Sequence, residues 1–397
     1  MRPQYVFISQ ATSRVVFDLA RQVSEELGPT LVLSGNSPSF ESTDTLALWK
    51  GPAYDNTSYR SRMKSWLSFC AWTLLKARSI EGSPVVLVTS NPPILPMVAA
   101  ILKQRRGWRF VARILDVFPN AIAQQGLTGE SHPVYRAWAK ANTLAYAKAD
   151  AVVTLAPKMG RAVSRYLPEG QEPILIPDWV DPSELRPIPK SENWFVRDHA
   201  LSDKFVVMYS GNVGSSHDIS GLLGAAEQLK DHPRIRFVLI GGGGRAHEFQ
   251  AAAERLPNCI ALPFQPEAAV PFAMAAADLG VVALGRSSAA VSMPSKSYYL
   301  MSAGCALLGL TSEDDDLRDL IDTHVCGVYA PSSDSNAVAA AILSLHDEPS
   351  ALQTRQENAR RAAVQQFSTS VCTQKYIELL SRLRDSERAA SLQQLAI

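Results

Sequence analysis

Residues Phe205–Leu223 read FVVMYSGNVGSSHDISGLL. Phe205 to Tyr209 is a run of β-branched, aromatic and Met side chains, the pattern of a strand buried on both faces. Ser210-Gly211-Asn212-Val213-Gly214 follows, a turn in which glycine supplies backbone freedom. The residues beyond Gly214 take a helix-like pattern, with His217 in its first turn. Strand, glycine turn and helix in that order place free N–H groups and the positive end of a helix dipole beside the turn, which predicts an anion site. A second unit of the same kind lies at Arg236–Gly244, RFVLIGGGG, leading into a helix over Arg245–Leu256.

The flanking segments repeat this alternation. Downstream, Ile260–Pro263, Leu279–Leu284 and Ala306–Leu310 read as strands. Helices are predicted over Glu267–Ala277, Ser295–Ala303, Leu317–Asp322, Asn336–His346 and Ala351–Ser368, with one or two more over Val371–Leu395. Upstream, Tyr5–Ser9, Thr30–Leu33, Pro84–Ser90, Arg109–Leu115 and Ala151–Leu155 read as strands, and Arg14–Leu27, Ile94–Gln104 and Val134–Lys148 as helices. Such alternation predicts parallel sheets covered by helices. The prolines between Pro168 and Pro189 mark a joint. The expected domains are 1–180 and 205–368, with a linker over 181–204 and a helical tail over 369–397.

At 397 residues the chain is long enough for two cores. An apolar share of 46% and a charged share of 19% describe a globular chain. No apolar run reaches the length of a spanning helix, and the N-terminus lacks a signal-peptide core, so a cytoplasmic location is expected. Cys70, Cys259, Cys305, Cys326 and Cys372 have neither metal nor redox spacing and are read as buried thiols. The net charge of +1 conceals a basic first half and an acidic second half. Within the basic half, Tyr59–Ser79 carries Arg60, Arg62, Lys64, Lys76 and Arg78 and no acid, with Met63, Trp66, Leu67, Cys70 and Leu74 in one stripe. Two readings stay open: a helix lying on an anionic membrane surface, or a domain helix with its Trp residues in the core.

Several residues stand where chemistry is expected. Asn91 and Asp116 end strands, where ligands of parallel sheets bind, although each also suits a turn or cap. Gly241 to Gly244 bring backbone close to a ligand, but the spacing is not that of a nicotinamide fingerprint. Pro294-Ser295-Lys296 opens a helix and offers a hydroxyl, N–H groups and an ammonium to a diphosphate. His217 suits a phosphate, a sugar or plain solvent. Glu313 to Asp316 sit at a helix start and are read as capping rather than metal-binding. No metal pattern, P-loop or Ser-His-Asp set is present.

Taken in order, YSGNVG (Tyr209–Gly214), LIGGGG (Leu239–Gly244), LPFQP (Leu262–Pro266), AAADLGVVAL (Ala275–Leu284) and MPSKSYYLMSAGCAL (Met293–Leu307) resemble the family-four glycosyltransferases, the retaining branch with the GT-B fold. TSNPP (Thr89–Pro93), RILDVFPN (Arg113–Asn120), ADAVVTLAPKM (Ala149–Met159) and IPDWVD (Ile176–Asp181) extend the resemblance over the first half. It is nearest to enzymes of bacterial surface-polysaccharide assembly. The resemblance implies two Rossmann-like domains facing a central cleft, with the C-terminal helix crossing back to the first domain.

By position it assigns Gly211, Asn212, Gly214, Gly241, Gly242, Phe264, Gln265, Pro294, Ser295, Lys296 and Tyr299 to the donor side and Asn91 and Asp116 to the acceptor side. Asp116, His217 and Lys296 are the implied catalytic residues. The implied reaction is retaining and metal-independent, needing no cofactor beyond a UDP- or GDP-linked sugar as substrate. The implied partners are that nucleotide sugar, a saccharide acceptor on a polyprenyl-type lipid, and a peripheral membrane surface through 59–79, with no nucleic acid. Asn212 stands where the family often has Arg, Leu115 where it often has His, and Val291 and Tyr299 where it has two glutamates; no Lys stands near His217. Two rival readings follow: a non-catalytic nucleotide-sugar-binding partner of another transferase, and a GT-B-fold nucleotide-sugar epimerase.

Overall fold

The computed structural model describes residues 2–36, 42–124, 126–214, 217–284, 291–311 and 314–395, with side chains described to residue 385. The chain forms two compact units. The first holds 1–123, 127–177 and 370–397; the second holds 124–126 and 178–369.

The first unit is built on a seven-stranded parallel sheet. Its strands are β1 (Tyr5–Ser9), β2 (Thr30–Ser34), β3 (Leu46–Lys50), β4 (Val85–Thr89), β5 (Arg109–Ile114), β6 (Ala151–Thr154) and β7 (Ile174–Leu175), in spatial order 3-2-1-4-5-6-7. The second unit repeats the order with β8 (Phe205–Asn212), β9 (Ile235–Gly242), β10 (Cys259–Leu262), β11 (Leu279–Ala283), β12 (Ala306–Leu310) and β13 (Gly327–Ala330), arranged 10-9-8-11-12-13. The central strands β1, β4 and β8 are buried along their apolar runs, because helices cover both faces of such sheets. In each unit the order reverses beside its first strand, between β1 and β4 and between β8 and β11. That switch opens a crevice at the carboxyl ends of the strands.

β3, β7 and β13 are absent from the sequence reading. All three lie at or beside a sheet edge, and their residues are mostly half-buried or exposed, so no continuous apolar run marks them. The helix predicted over Glu267–Ala277 is shorter: a 3-10 turn, Glu267–Ala269, precedes Val270–Met274.

Residues 181–204 form no free linker. A helix, Trp194–Asp198, buries Phe195 and Val196 in the second unit. Asn193 caps it and donates through Nδ2 to Phe272 O at 2.8 Å. Lys190 pairs with Asp278 at 2.6 Å, and Arg360 donates to the carbonyls of Pro182 and Leu185. The tail is one helix, Thr369–Leu395. Within the first unit it is held by Arg113, whose Nε donates to Tyr376 Oη at 2.9 Å, and by Arg384, which donates to Ser83 O.

The helix Tyr59–Lys76 divides the residues read as one apolar stripe. Trp66, Phe69, Cys70 and Thr73 are buried. Trp66 meets Phe118 edge-on at 6.2 Å, and Phe118 stacks on Trp138. Leu67 and Leu75, both more than half exposed, occupy the opposite face with Arg60, Lys64 and Ala71. No described helix is long and apolar enough to cross a membrane.

Candidate active site

The site of the second unit is assembled where β8 and β9 end. Their pairing runs to Gly211 opposite Gly241 and Asn212 opposite Gly242. Gly211 (φ +134°) and Gly241 (φ +142°) both occupy conformations that side chains resist, and a Cβ on Gly241 would collide with the Gly211 carbonyl. The two strand ends can therefore approach only as glycines. Gly242 lies under the ring of Phe264, which is 59% exposed and sits in the loop after β10. Gln265 Nε2 donates to Pro263 O at 2.9 Å.

The helix expected directly after Gly214 begins only at Ser220. Local bonds delay it. His217 N donates to Gly214 O at 3.1 Å, and Asp218 Oδ1 accepts from the N and Oγ of Ser220. His217 therefore belongs to the loop, not to a helical turn. Its Nδ1 accepts from Gly214 N at 3.2 Å, which leaves the ring proton of the neutral form on Nε2. Burial, then the nearby charges of Lys296 and Arg245, push its pKa down to about 4, so the ring is a neutral donor.

Lys296 is the first residue of the helix Lys296–Ser302, with Ser295 in the cap position and Ser297 N donating to Pro294 O. Its Nζ donates to Tyr209 Oη at 3.1 Å and lies 4.2 Å from the centre of that ring. A Cβ built on Gly211 would sit 3.2 Å from Nζ, which places the ammonium against the glycine bend. Burial brings the Lys296 pKa down to about 8. No described carboxylate offsets this charge. Tyr299 lies one turn further along the same helix, half-buried. Val291, the other position where the resemblance has a glutamate, is 2% exposed.

Arg245 closes the group. Its backbone N donates to Val213 O, its Nη1 donates to His217 O at 2.8 Å, and its guanidinium grips Glu248. Gly211, Asn212, Gly214, His217, Gly241, Gly242, Phe264 and Lys296 thus converge on one set of loops. The sequence reading omits Tyr209 and Arg245. Tyr209 is hidden in a run that reads as plain core, and Arg245 directly follows the glycine run.

Asn91 and Asp116 belong to the first unit. Asn91 Oδ1 accepts from Ala11 N at 3.3 Å, so this side chain ties the loop after β4 to the loop after β1. Around it a polar network links buried Ser9, Thr12, Ser34 and Thr89 to exposed Asn36. Asp116 is exposed beyond the end of β5. Among the described residues no group of three or more His, Cys, Asp or Glu is placed to hold a metal, and Asp315 caps the helix Asp316–His324 through Arg318 N; Glu313 lies outside the described residues.

Residues 10–179 match the model of the glycosyl transferase 4-like domain, and residues 204–348 that of the glycosyl transferases group 1. The chain is 26% identical over 273 residues to a probable glycosyltransferase, WbjE, of Pseudomonas aeruginosa, covering 68% of this chain and 67% of the relative. A putative colanic acid biosynthesis glycosyl transferase, WcaI, of Escherichia coli (strain K12) is 30% identical over 135 residues, a third of each chain. Among solved structures, sucrose-phosphate synthase from Thermosynechococcus elongatus superposes with a TM-score of 0.76 at 14% identity, covering 97% of this chain and 100% of the other. Anabaena Alr3699/HepE in complex with UDP-glucose gives 0.72 at 17% identity, covering 95% and 99%. The chain has the GT-B fold, and it matches a glycosyl transferase 4-like domain over its first half and the glycosyl transferases group 1 over most of its second.

Proposed function

We propose that this chain transfers a sugar from a nucleotide-sugar donor to a hydroxyl of a saccharide acceptor, with retention and without a metal. The observation that carries the reading is Lys296. It is a desolvated ammonium with only a hydroxyl and a ring as described partners, set against the bend where β8 and β9 end. Such a group gains most from an anion, and a donor diphosphate is the anion we assign to it beside the adjoining glycine loops. As the sugar departs, negative charge grows on the leaving phosphate. Lys296, the neutral His217 N–H and backbone N–H groups are the stabilisers this site offers. The HepE neighbour was solved with UDP-glucose, which makes UDP sugars the first donors to test and GDP sugars the second.

Asn91 and Asp116 are assigned to the acceptor side, Asn91 shaping the rim and Asp116 offering a carboxylate to a hydroxyl. The relatives named for glycosyltransfer and colanic acid biosynthesis support a polysaccharide acceptor, for which we propose a lipid-linked form at the inner face of the cytoplasmic membrane. The face of Arg60, Lys64, Leu67 and Leu75 supports contact with that surface.

The decisive comparison uses wild type and Lys296→Ala with UDP and GDP sugars. Nucleotide release should fall about 100-fold or more, with the melting temperature within a few degrees of wild type. Unchanged release would reject the role of Lys296. The anomeric configuration of the product, read by NMR, and activity in EDTA test retention and metal independence. A second reading has one observation in its favour. Buried Val291 and half-buried Tyr299 leave no carboxylate at the positions where the resemblance has glutamates. It predicts donor binding without turnover, as a partner of an active transferase.

A further inference from the structure

We propose that Tyr209 is the positioning residue for Lys296, a rigid post inside β8 that fixes where the ammonium is presented. The proposal deepens the reading of Lys296 as the diphosphate-facing group and rests on it. Tyr209 is fully buried, and its ring meets Phe249 edge-on at 5.4 Å, so the phenol cannot swing. Its hydroxyl donates to Asn212 O at 2.9 Å. A phenol has one proton to give, and that bond uses it, so only lone pairs remain for Lys296 Nζ at 3.1 Å. The ammonium is held a second time by the ring itself, 4.2 Å from its centre. A lysine stem is flexible and would otherwise scatter its charge over many rotamers.

The same hydroxyl therefore fixes two things at once: the carbonyl of Asn212 on the first glycine loop, and the cation at the head of the helix Lys296–Ser302. The other charged and titratable groups near this pair are His217, on the loop after β8, and Arg245, on the loop after β9. Neither bonds to Nζ. Tyr209 is thus the hydrogen-bonding partner the fold gives to an otherwise uncompensated ammonium among the described residues.

A double-mutant cycle tests this. Tyr209→Phe keeps the ring and its packing and removes only the hydroxyl. In the wild-type background it should weaken UDP or GDP binding, and raise the donor KM, about tenfold, the range of a hydrogen bond to a charged group, with a smaller effect on kcat. In the Lys296→Ala background the loss should be several-fold smaller, because only the bond to Asn212 O is left to lose. An equal loss in both backgrounds would reduce Tyr209 to a structural role and overturn the proposal. A ligand-free measurement runs beside it: acetic anhydride labelling of Lys296, followed by mass spectrometry, should be several-fold faster in Tyr209→Phe. Unchanged labelling would also overturn the proposal. If wild type binds neither UDP nor GDP, the functional reading fails, while the labelling still decides whether Tyr209 holds Lys296.

Discussion

Two side chains of the candidate site carry pKa values displaced by burial, and the displacements predict opposite limbs of a pH profile. Lys296 loses its proton near pH 8 rather than near 10.5. Affinity for UDP or GDP, measured by calorimetry, should therefore weaken as the pH rises through about 8, and Lys296→Arg should remove that loss below pH 10 because a guanidinium stays charged. His217 has a folded pKa near 4 against 6.5 for an exposed ring. Between those values the unfolded chain binds more protons than the folded one, so this residue makes stability decline as the pH falls from about 6.5 to about 4. Replacing it by Asn should flatten that part of the curve of denaturation midpoint against pH. The sequence marks both residues as candidates to face an anion. It cannot supply their displaced titrations, which come from burial and, for His217, also from the charges of Lys296 and Arg245.

At the level of elements, the glycine run shows how position within it decides what a side chain would meet. Gly241 and Gly244 belong to the same run, yet only Gly241 combines a φ of +142° with a carbonyl in the way of a side chain; nothing lies within 4 Å of the Cβ position of Gly244. Gly241→Ala should cost roughly 3 kcal/mol or more and splay the ends of β8 and β9, whereas Gly244→Ala should stay within about 0.5 kcal/mol. Urea denaturation of the two variants checks the contrast. A gain is predicted at Val325, an exposed β-branched residue with φ +48° at the end of the helix Asp316–His324. Val325→Gly should raise stability by up to about 1 kcal/mol, since glycine takes this conformation without steric cost. Central strands and long helices were legible in the sequence because their apolar pattern is continuous. Of the edge strands only β10 was read; β3, β7 and β13 were not, because a strand with one open side needs no such pattern. The helix after Gly214 was placed too early because Asp218 and His217 form local bonds that periodicity does not register.

For the whole molecule, the division into two units makes the C-terminal helix a part of the first. Cys372, Tyr376 and Leu380 are fully buried, and Arg113, 1% exposed, donates to Tyr376. Burying an aliphatic or aromatic side chain stabilises by about 1.5–3 kcal/mol, and a domain holds only about 5–15 kcal/mol in all. A chain ending at Thr369 should therefore lose cooperative unfolding of its first unit while the second still melts as a unit, resolved by calorimetry as one lost transition. The proposed surface contact is also a property at this scale. Arg60, Lys64, Leu67 and Leu75 share one exposed helix face with no acid among them. Co-sedimentation with vesicles containing anionic lipid should fall several-fold when Arg60 and Lys64 are changed to Glu, and hardly change with neutral vesicles. Equal sedimentation of variant and wild type would remove the membrane surface from the list of partners.

The sequence by itself determined the class of fold and the glycine turns of the candidate site. Buried parallel strands demand unbroken apolar runs, and backbone that turns sharply against a phosphate demands glycine; both demands are local and so are written locally. Only the tertiary structure decided which neighbours those residues have. Trp66 went to the core and Leu67 to the surface because the helix had to bury one face against Phe118. The residues expected as a linker became part of the second unit because Asn193 and Arg360 hold them there. Lys296 met Tyr209, 87 positions away, because β8 and the helix after β11 come together beside the switch in strand order. Contacts between residues so far apart in the chain follow from how the sheet is wound, and no local pattern encodes them.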